Sequence, residues 1–144
     1  MNKIKSSISF LDTKGPDIAL PSEHGVIDLH ADMSFKELKY LVDRTLVLRW
    51  DAMHPQAVEL KGGYARSVEV VFVGVTSLTV SPRDPETPFE TDTHLLDFEA
   101  RTDPTGLRVV FNFNGGIQVA VSAADAYVDL IFEEGGAIEN QKPH

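Results

Sequence analysis

The chain has 144 residues, no cysteine and a formal net charge of −9. The lack of cysteine excludes a disulfide framework and thiolate zinc sites and suits a reducing compartment, while the acidic balance disfavours nucleic acid and anionic lipid as direct partners. The length and the 42% hydrophobic fraction are typical of one packed globule, so residues 1–144 are expected to form a single domain.

The N-terminal segment predicts a cytoplasmic protein. Its two early lysines, Lys3 and Lys5, are not followed by the apolar run of a secretory signal. No apolar stretch further along the chain approaches the ~18 residues that a membrane span requires. We therefore expect neither export nor contact with a membrane.

Apolar and polar residues alternate along much of the chain, a period-2 pattern that predicts half-buried strands. In one such segment Leu46, Leu48 and Trp50 share a face. Gly74 separates two neighbouring segments, where a glycine is expected to mark a bulge or a bend. The alternating segments are residues 7–12, 45–50, 67–73, 75–80, 107–121 and 126–132.

One short helix is predicted near residues 34–42. Ser34 and Glu37 have the spacing of a capping box, in which the serine oxygen accepts an amide hydrogen bond and the glutamate reaches back to the cap. Phe35 and Leu38 then follow at helical spacing. A helix of about two turns needs tertiary packing to persist, because isolated helices of that length are marginal.

Residues 107–121 predict a β-hairpin. Apolar residues alternate on both sides of Asn114-Gly115-Gly116, and Asn-Gly tolerates the positive φ angles that a tight hairpin turn requires. The segment 126–132 is expected to pair behind this hairpin, and residues 134–144 are expected to form a frayed tail. The pattern as a whole predicts a mainly β fold, α+β by strict count, with one antiparallel meander sheet or sandwich of six to eight strands beside the short helix.

Asp28, His30 and Asp32 form a candidate metal cluster. In a strand these alternate residues would face the same side, and two carboxylates with an imidazole can hold a divalent cation. The alternative is a polar strand face in front of the predicted helix, with Asp32 near its cap. Zinc motifs with two histidines at i and i+4 are absent, so no metal site is predicted.

No catalytic signature accompanies this cluster. The chain lacks a Gly-x-Ser-x-Gly elbow and a cysteine nucleophile, and Gly115-Gly116 lacks the lysine and the strand-to-helix context of a phosphate loop. We therefore predict a protein with no enzymatic activity, no catalytic residues and no cofactor. Trp50, the only tryptophan, continues an apolar strand face, so we expect it in the core, with ligand stacking as the alternative.

The net charge is concentrated in one half of the chain. Residues 84–144 contain twelve acidic and three basic residues, whereas residues 1–83 contain ten of each. A field of one sign favours a partner of the opposite sign, although a charge run also occurs as a merely solvated surface. The predicted partner-binding residues are Asp84, Glu86, Glu90, Asp92, Asp97, Glu99 and Asp103.

The order of three segments in the second half of the chain is also informative. A strand interrupted by a glycine (residues 72–78) is followed by an acidic link and a strand (92–98) and then by a glycine hairpin (111–119). This order resembles small bacterial immunity proteins, which guard a cell against polymorphic or contact-dependent growth inhibition toxins. The resemblance implies a cytoplasmic, non-enzymatic inhibitor that binds a toxin domain, and it assigns no interface residues.

The charge and the resemblance favour the same function. Nuclease toxins bind phosphates and many are basic, so an acidic inhibitor can occupy the basic site. We therefore predict an immunity protein that neutralises a cognate, basic toxin. The alternatives are a small-ligand or carbohydrate-binding β module in which Trp50, Tyr64, Asp28 and His30 line a cleft, and a metal-dependent enzyme that uses Asp28, His30 and Asp32.

Overall fold

The computed structural model describes residues 2–12, 19–86, 93–104 and 106–132, and it confirms a mainly β fold. A one-turn 3₁₀ helix spans Phe10–Asp12. The ten strands are β1 Asn2–Ser7, β2 Ala19–Ser22, β3 Gly25–Asp28, β4 Met33–Leu41, β5 Thr45–Ala52, β6 Glu59–Leu60, β7 Gly63–Val80, β8 Leu95–Asp103, β9 Gly106–Phe113 and β10 Gln118–Phe132. No helix among the described residues is long and apolar enough to span a membrane.

Eight of the strands form one antiparallel sheet, as the alternation predicted. Its order is β4-β5-β7-β10-β9-β8, with β1 beside β10 and β6 beside β7, while β2 and β3 form a separate hairpin. The strands β4, β5 and β7 make one meander and β8, β9 and β10 make another. The two meanders join where β7 pairs with β10, so strands that are distant in sequence become neighbours.

The long strands β7 and β10 are shared by two half-sheets. In the first half-sheet, residues 67–72 of β7 pair with β5, and the end of β10 pairs with β1. In the second half-sheet, residues 118–123 of β10 lie between residues 75–80 of β7 and the strand β9, which in turn pairs with β8. The second half-sheet therefore combines the end of β7 with three strand segments from the acidic half of the chain: β8, β9 and the first part of β10.

The sheet bends sharply between the two half-sheets. Trp50 lies opposite Val68 of β7, whereas Phe111 and Val80 of β7 both lie opposite the same residue of β10. Val68 and Val80 are twelve residues apart, which is roughly 40 Å along a straight strand. The two rings are nevertheless only 5.8 Å apart, so the half-sheets fold over one another. The bend falls at Gly74, whose φ is +64°, beside a register shift in β10, which confirms the predicted bulge or bend.

The core lies between the two half-sheets. Leu46, Leu48 and Trp50 face it from β5, as predicted, and are fully buried. Phe10 of the 3₁₀ helix inserts its ring among those of Phe72, Phe98 and Phe111. The remaining fully buried large side chains are Leu20, Ile27, Leu29, Met33, Leu95, Leu130 and Val68.

The predicted helix near residues 34–42 is wrong, because Met33–Leu41 is the strand β4. A β-bulge between Phe35 and Glu37 inserts one extra residue, which places both Phe35 and Leu38 on the core side, opposite Trp50 and Leu48. The three-residue spacing that resembles a helical stripe is therefore produced by the bulge.

Two other expectations for the strands require adjustment. The first strand covers residues 2–7 and not 7–12, because the chain turns into the 3₁₀ helix at Phe10. The predicted hairpin within 107–121 is confirmed, but β10 continues without interruption into the segment 126–132. The predicted frayed tail, residues 134–144, lies outside the described residues.

Candidate partner-binding surface

Four of the predicted partner-binding carboxylates form an exposed surface on the second half-sheet. Asp84 and Glu86 follow the end of β7, and Asp97 and Glu99 lie at the start of β8; all four are exposed. We call these four residues the acidic rim. Asp103 is half-buried at the opposite end of β8, about 20 Å from Asp97 along the strand, and is not part of this surface. The predicted residues Glu90 and Asp92 lie outside the described residues.

The segment that carries Asp84 is fixed against the turn between β9 and β10. The backbone N–H of Asp84 donates to the carbonyl of Gly115 at 2.8 Å, and that of Ser81 donates to the carbonyl of Gln118 at 2.9 Å. The Asp84 carboxylate also accepts the Glu86 amide at 2.9 Å. Gly116 is essential to this contact, because an added Cβ would lie 2.9 Å from Asp84.

A row of side-chain hydrogen bonds orients the carboxylate of Asp97. Asn112 of β9 donates its Nδ2 to Asp97 Oδ1 at 2.7 Å, and Gln118 of β10 donates its Nε2 to Asn112 Oδ1 at 2.8 Å. The backbone N–H of Gln118 in turn donates to Ser81 Oγ at 2.8 Å. The row thus connects Asp97 to the segment of Asp84 across the sheet, and it preorganises a carboxylate that remains exposed.

The two arginines of the second half-sheet do not extend this row. Arg101 and Arg108 lie opposite each other in the β8–β9 register. Arg108 donates Nη1 to Ser122 Oγ at 3.3 Å, and both arginines line a shallow groove with Glu99. Glu99 therefore shares its groove with both arginines, whereas Asp97 lies two residues nearer the start of β8 and accepts its hydrogen bond from Asn112.

The outer face of the first half-sheet has a different electrostatic character. Arg49 donates Nε to Asp51 at 2.9 Å, Ser67 donates to the same carboxylate at 2.8 Å, and Lys3 lies 3.4 Å from Glu69. Burial would raise the pKa of Asp51, but the hydrogen bonds from Arg49 and Ser67 and the nearby positive charge lower it overall. Four charged residues on this face thus form ion pairs: Arg49 with Asp51, and Lys3 with Glu69.

Asp129 provides a pH-dependent test of this outer face. It lies opposite Glu69, and burial followed by the Glu69 charge raises its pKa, against the opposing effect of Lys3 and Lys5. A raised pKa means that the folded state disfavours the ionised form of Asp129. The protein therefore has its full stability below the unfolded pKa of Asp129, about 3.9, and loses part of it as the pH rises through the folded value. We expect Asp129→Asn to raise the free energy of unfolding at pH 7 by up to about 1 kcal/mol, with no gain near pH 3.

Urea unfolding at both pH values measures this effect. Asp51→Asn is the matched control of opposite sign, because the lowered pKa of Asp51 contributes stability above its unfolded pKa that is lost as the pH falls. It should destabilise the protein at pH 7 and have less effect in acid. A loss of stability at pH 7 in both variants would contradict the account of Asp129.

Asp28 and His30 of the candidate metal cluster form hydrogen bonds to the backbone. These residues are not alternate positions of a strand, since β3 ends at Asp28 and a turn follows. Asp28 Oδ1 accepts the amides of His30 and Ala31 at 2.9 and 2.8 Å, and His30 Nδ1 hydrogen bonds to the Leu95 carbonyl of β8 at 2.5 Å. Over the described part of the chain, no group of three or more His, Cys, Asp or Glu residues has a metal-binding arrangement.

The tryptophan proposed for a ligand cleft lies inside the core. Trp50 is fully buried, with ring centroids of Phe35 and Phe113 at 5.0 and 6.4 Å. Its Nε1–H has no hydrogen-bond partner among the described residues. Tyr64 is half-buried at the start of β7, where it pairs with Glu59. Trp50 therefore packs as expected and offers no face for ligand stacking.

Asn112 and Gln118 support the candidate surface, and the sequence did not single them out. The alternation placed both on the outer face of the hairpin, but their bonding to Asp97 depends on the register of β8 against β9, which no local pattern contains. Comparison with known proteins does not add residues to this set, since no family model, curated protein or solved structure matches the chain.

Proposed function

We propose that this chain is a non-enzymatic binding protein that neutralises a basic protein partner, as an immunity protein does with a nuclease-type toxin. The observation that carries the proposal is the acidic rim, four exposed carboxylates, of which Asp84 and Asp97 are held by hydrogen bonds to the β9–β10 hairpin. The proposed partner is basic because the rim presents negative charge, and nuclease domains are often basic because they bind phosphates.

The geometry of the rim suits electrostatic recognition. The hydrogen bonds to the Asp97 carboxylate and from the Asp84 backbone hold these two residues in place before a partner arrives, so less conformational entropy is lost on binding. Exposed charges of one sign also steer a basic partner during diffusion, which raises association rates by about 10- to 1,000-fold at low ionic strength. Neither alternative function has this support, since Trp50 is buried and Asp28 is engaged in a turn.

Recovery of the partner is the direct test. The tagged protein is used as bait in lysate of the native cell, and a basic protein bound at a fixed stoichiometry is expected. Expression of that protein alone should arrest growth, and co-expression with this chain should restore it. Growth arrest that persists during co-expression would overturn the neutralising function.

A charge-reversal variant tests the docking surface. Replacing Glu86, Asp97 and Glu99 by lysine should lower the association rate with the recovered partner by about 10- to 1,000-fold at low salt, and it should flatten the salt dependence of that rate. Stopped-flow association at several salt concentrations measures both effects.

The control reverses three exposed carboxylates elsewhere. The Lys substitutions at Glu37, Glu59 and Asp125 change the net charge by the same amount at residues outside the acidic rim. If the two triple variants slow association equally, the total charge matters and the acidic rim is not the docking surface.

A further inference from the structure

The strand β8 is an edge strand with an open side. Among the described residues it pairs only with β9. Backbone groups of an antiparallel strand point alternately to either side. The carbonyl of His94 accepts the Asn114 amide at 2.8 Å, so the backbone groups of His94 point toward β9. The alternation continues through the bulge at Leu96, and the backbone groups of Asp97, Glu99 and Arg101 therefore also point toward β9.

The intervening residues Phe98, Ala100 and Thr102 therefore direct their amides and carbonyls away from β9. The hydrogen bond of His30 agrees with this alternation, because His30 Nδ1 bonds to the Leu95 carbonyl, which points to the same open side. The open side thus begins with one carbonyl that already has a hydrogen-bond partner and continues with three residues in extended conformation.

The edge strands of this fold differ in their charges. The edge strands β1 and β4 each carry two lysines, a common device that discourages pairing with another strand. The strand β8 carries no lysine and contains Asp97, Glu99, Arg101 and Asp103, with carboxylates predominating. An edge of this charge repels an acidic strand and favours a basic one, because like charges side by side are destabilising in a sheet.

We infer that the open side of β8 accepts an extended segment of the basic partner, which adds to the sheet as a further strand. This inference rests on the proposed function and names its binding mode. Lysine or arginine at alternate positions of the incoming strand would lie beside Asp97 and Glu99 on the outer face. Backbone hydrogen bonds to Phe98, Ala100 and Thr102 would supply affinity that does not depend on side chains.

Amide hydrogen exchange followed by NMR tests the open edge in the free protein. The amides of Ala100 and Thr102 should exchange at least tenfold faster than those of Glu99 and Arg101, which bond to β9. Slow exchange at Ala100 and Thr102 in the free protein would show that the edge is already occupied, and it would overturn the inference.

A peptide probe tests strand addition. The probe is a nine-residue peptide with lysine at alternate positions and threonine between, and its control has glutamate in place of lysine. At saturation the lysine peptide should slow exchange at Ala100 and Thr102 by at least tenfold, and the glutamate peptide should not. Binding that perturbs Asp97 and Glu99 without this protection would overturn strand addition while leaving the acidic rim as a docking surface.

Proline variants provide the second arm. Ala100→Pro removes only a backbone amide that points away from β9. If that variant does not fold, Thr102→Pro replaces it, because it removes an amide of the same kind at an exposed position. Tyr40→Pro is the matched control, since the Arg44 amide bonds to the Leu41 carbonyl and the same alternation directs Tyr40 away from β5.

The lysine peptide should bind the β8 proline variant at least tenfold more weakly and the Tyr40 variant with unchanged affinity. Equal affinity for the β8 variant and the wild type, or no binding of the lysine peptide to the wild type at millimolar concentration, would overturn the inference. Neither result bears on partner recovery or on neutralisation of its activity, which test the proposed function separately.

Discussion

Replacing Phe111 by alanine is expected to lower the free energy of unfolding by about 3–5 kcal/mol, the usual range for removing a buried aromatic ring. Phe111 is fully buried, and its ring lies 6.0, 5.8, 6.1 and 5.9 Å from those of Phe10, Trp50, Phe72 and Phe98, respectively. These partners come from the 3₁₀ helix, both half-sheets and the edge strand β8. The substitution therefore leaves a cavity where the two half-sheets meet, and not merely at one strand.

Urea unfolding at neutral pH measures the loss, and two variants calibrate it. Phe111→Leu keeps most of the apolar volume and should cost about 1–2 kcal/mol. Tyr40→Ala removes an aromatic ring of similar size that is 48% exposed, so its effect should stay within about 0.5 kcal/mol. If Phe111→Ala costs no more than Tyr40→Ala, the half-sheets do not share one core.

The alternation of residues predicted the strands β5, β7, β9 and β10 and their core faces, because each of these strands buries one face against the core. Leu46, Leu48 and Trp50 face the core for that reason. The same reasoning identified the bend at Gly74, where only a glycine readily adopts the positive φ. It could not identify the partner of each strand, because the pairing of β7 with β10 depends on how two distant segments pack.

The errors arose where a local pattern has two physical origins. Phe35 and Leu38 are three residues apart both in a helix and in a bulged strand, and only the pairing of β4 with β5 distinguishes the two. Asp28 and His30 alternate in sequence, but the Asp28 side chain accepts two backbone amides and so stabilises a turn in place of a strand.

The candidate surface was predictable in its charge but not in its geometry. Composition located the excess of carboxylates after residue 83, and four of them are exposed after β7 and at the start of β8. The separation of Asp103 from this group follows from the direction of β8, which carries it to the far end of the strand. The support of Asp97 by Asn112 follows from the β8–β9 register.

Replacing Gly106 by alanine is expected to cost about 3 kcal/mol or more. Gly106 has a φ of +134°, and an added Cβ would lie 2.7 Å from the Ala123 carbonyl oxygen and 2.9 Å from that of Ala124. Those backbone atoms belong to the part of β10 that faces the bend, where a Cβ on Gly74 would lie 3.0 Å from that of Ala124. The bend is thus enclosed by two glycines, and backbone atoms cannot move aside as a flexible side chain can.

Gly62→Ala separates the two sources of this cost. Gly62 also has a positive φ, +99°, but the nearest atom to an added Cβ is the end of the Phe132 ring at 3.8 Å. Only the conformational strain remains, so the expected loss is about 1–2 kcal/mol. Urea unfolding of both variants measures the difference, which represents the close approach of the β8–β9 turn to the bend in β10. Equal losses in the two variants would mean that this turn does not pack against the bend, and that Gly106 serves only its own backbone conformation.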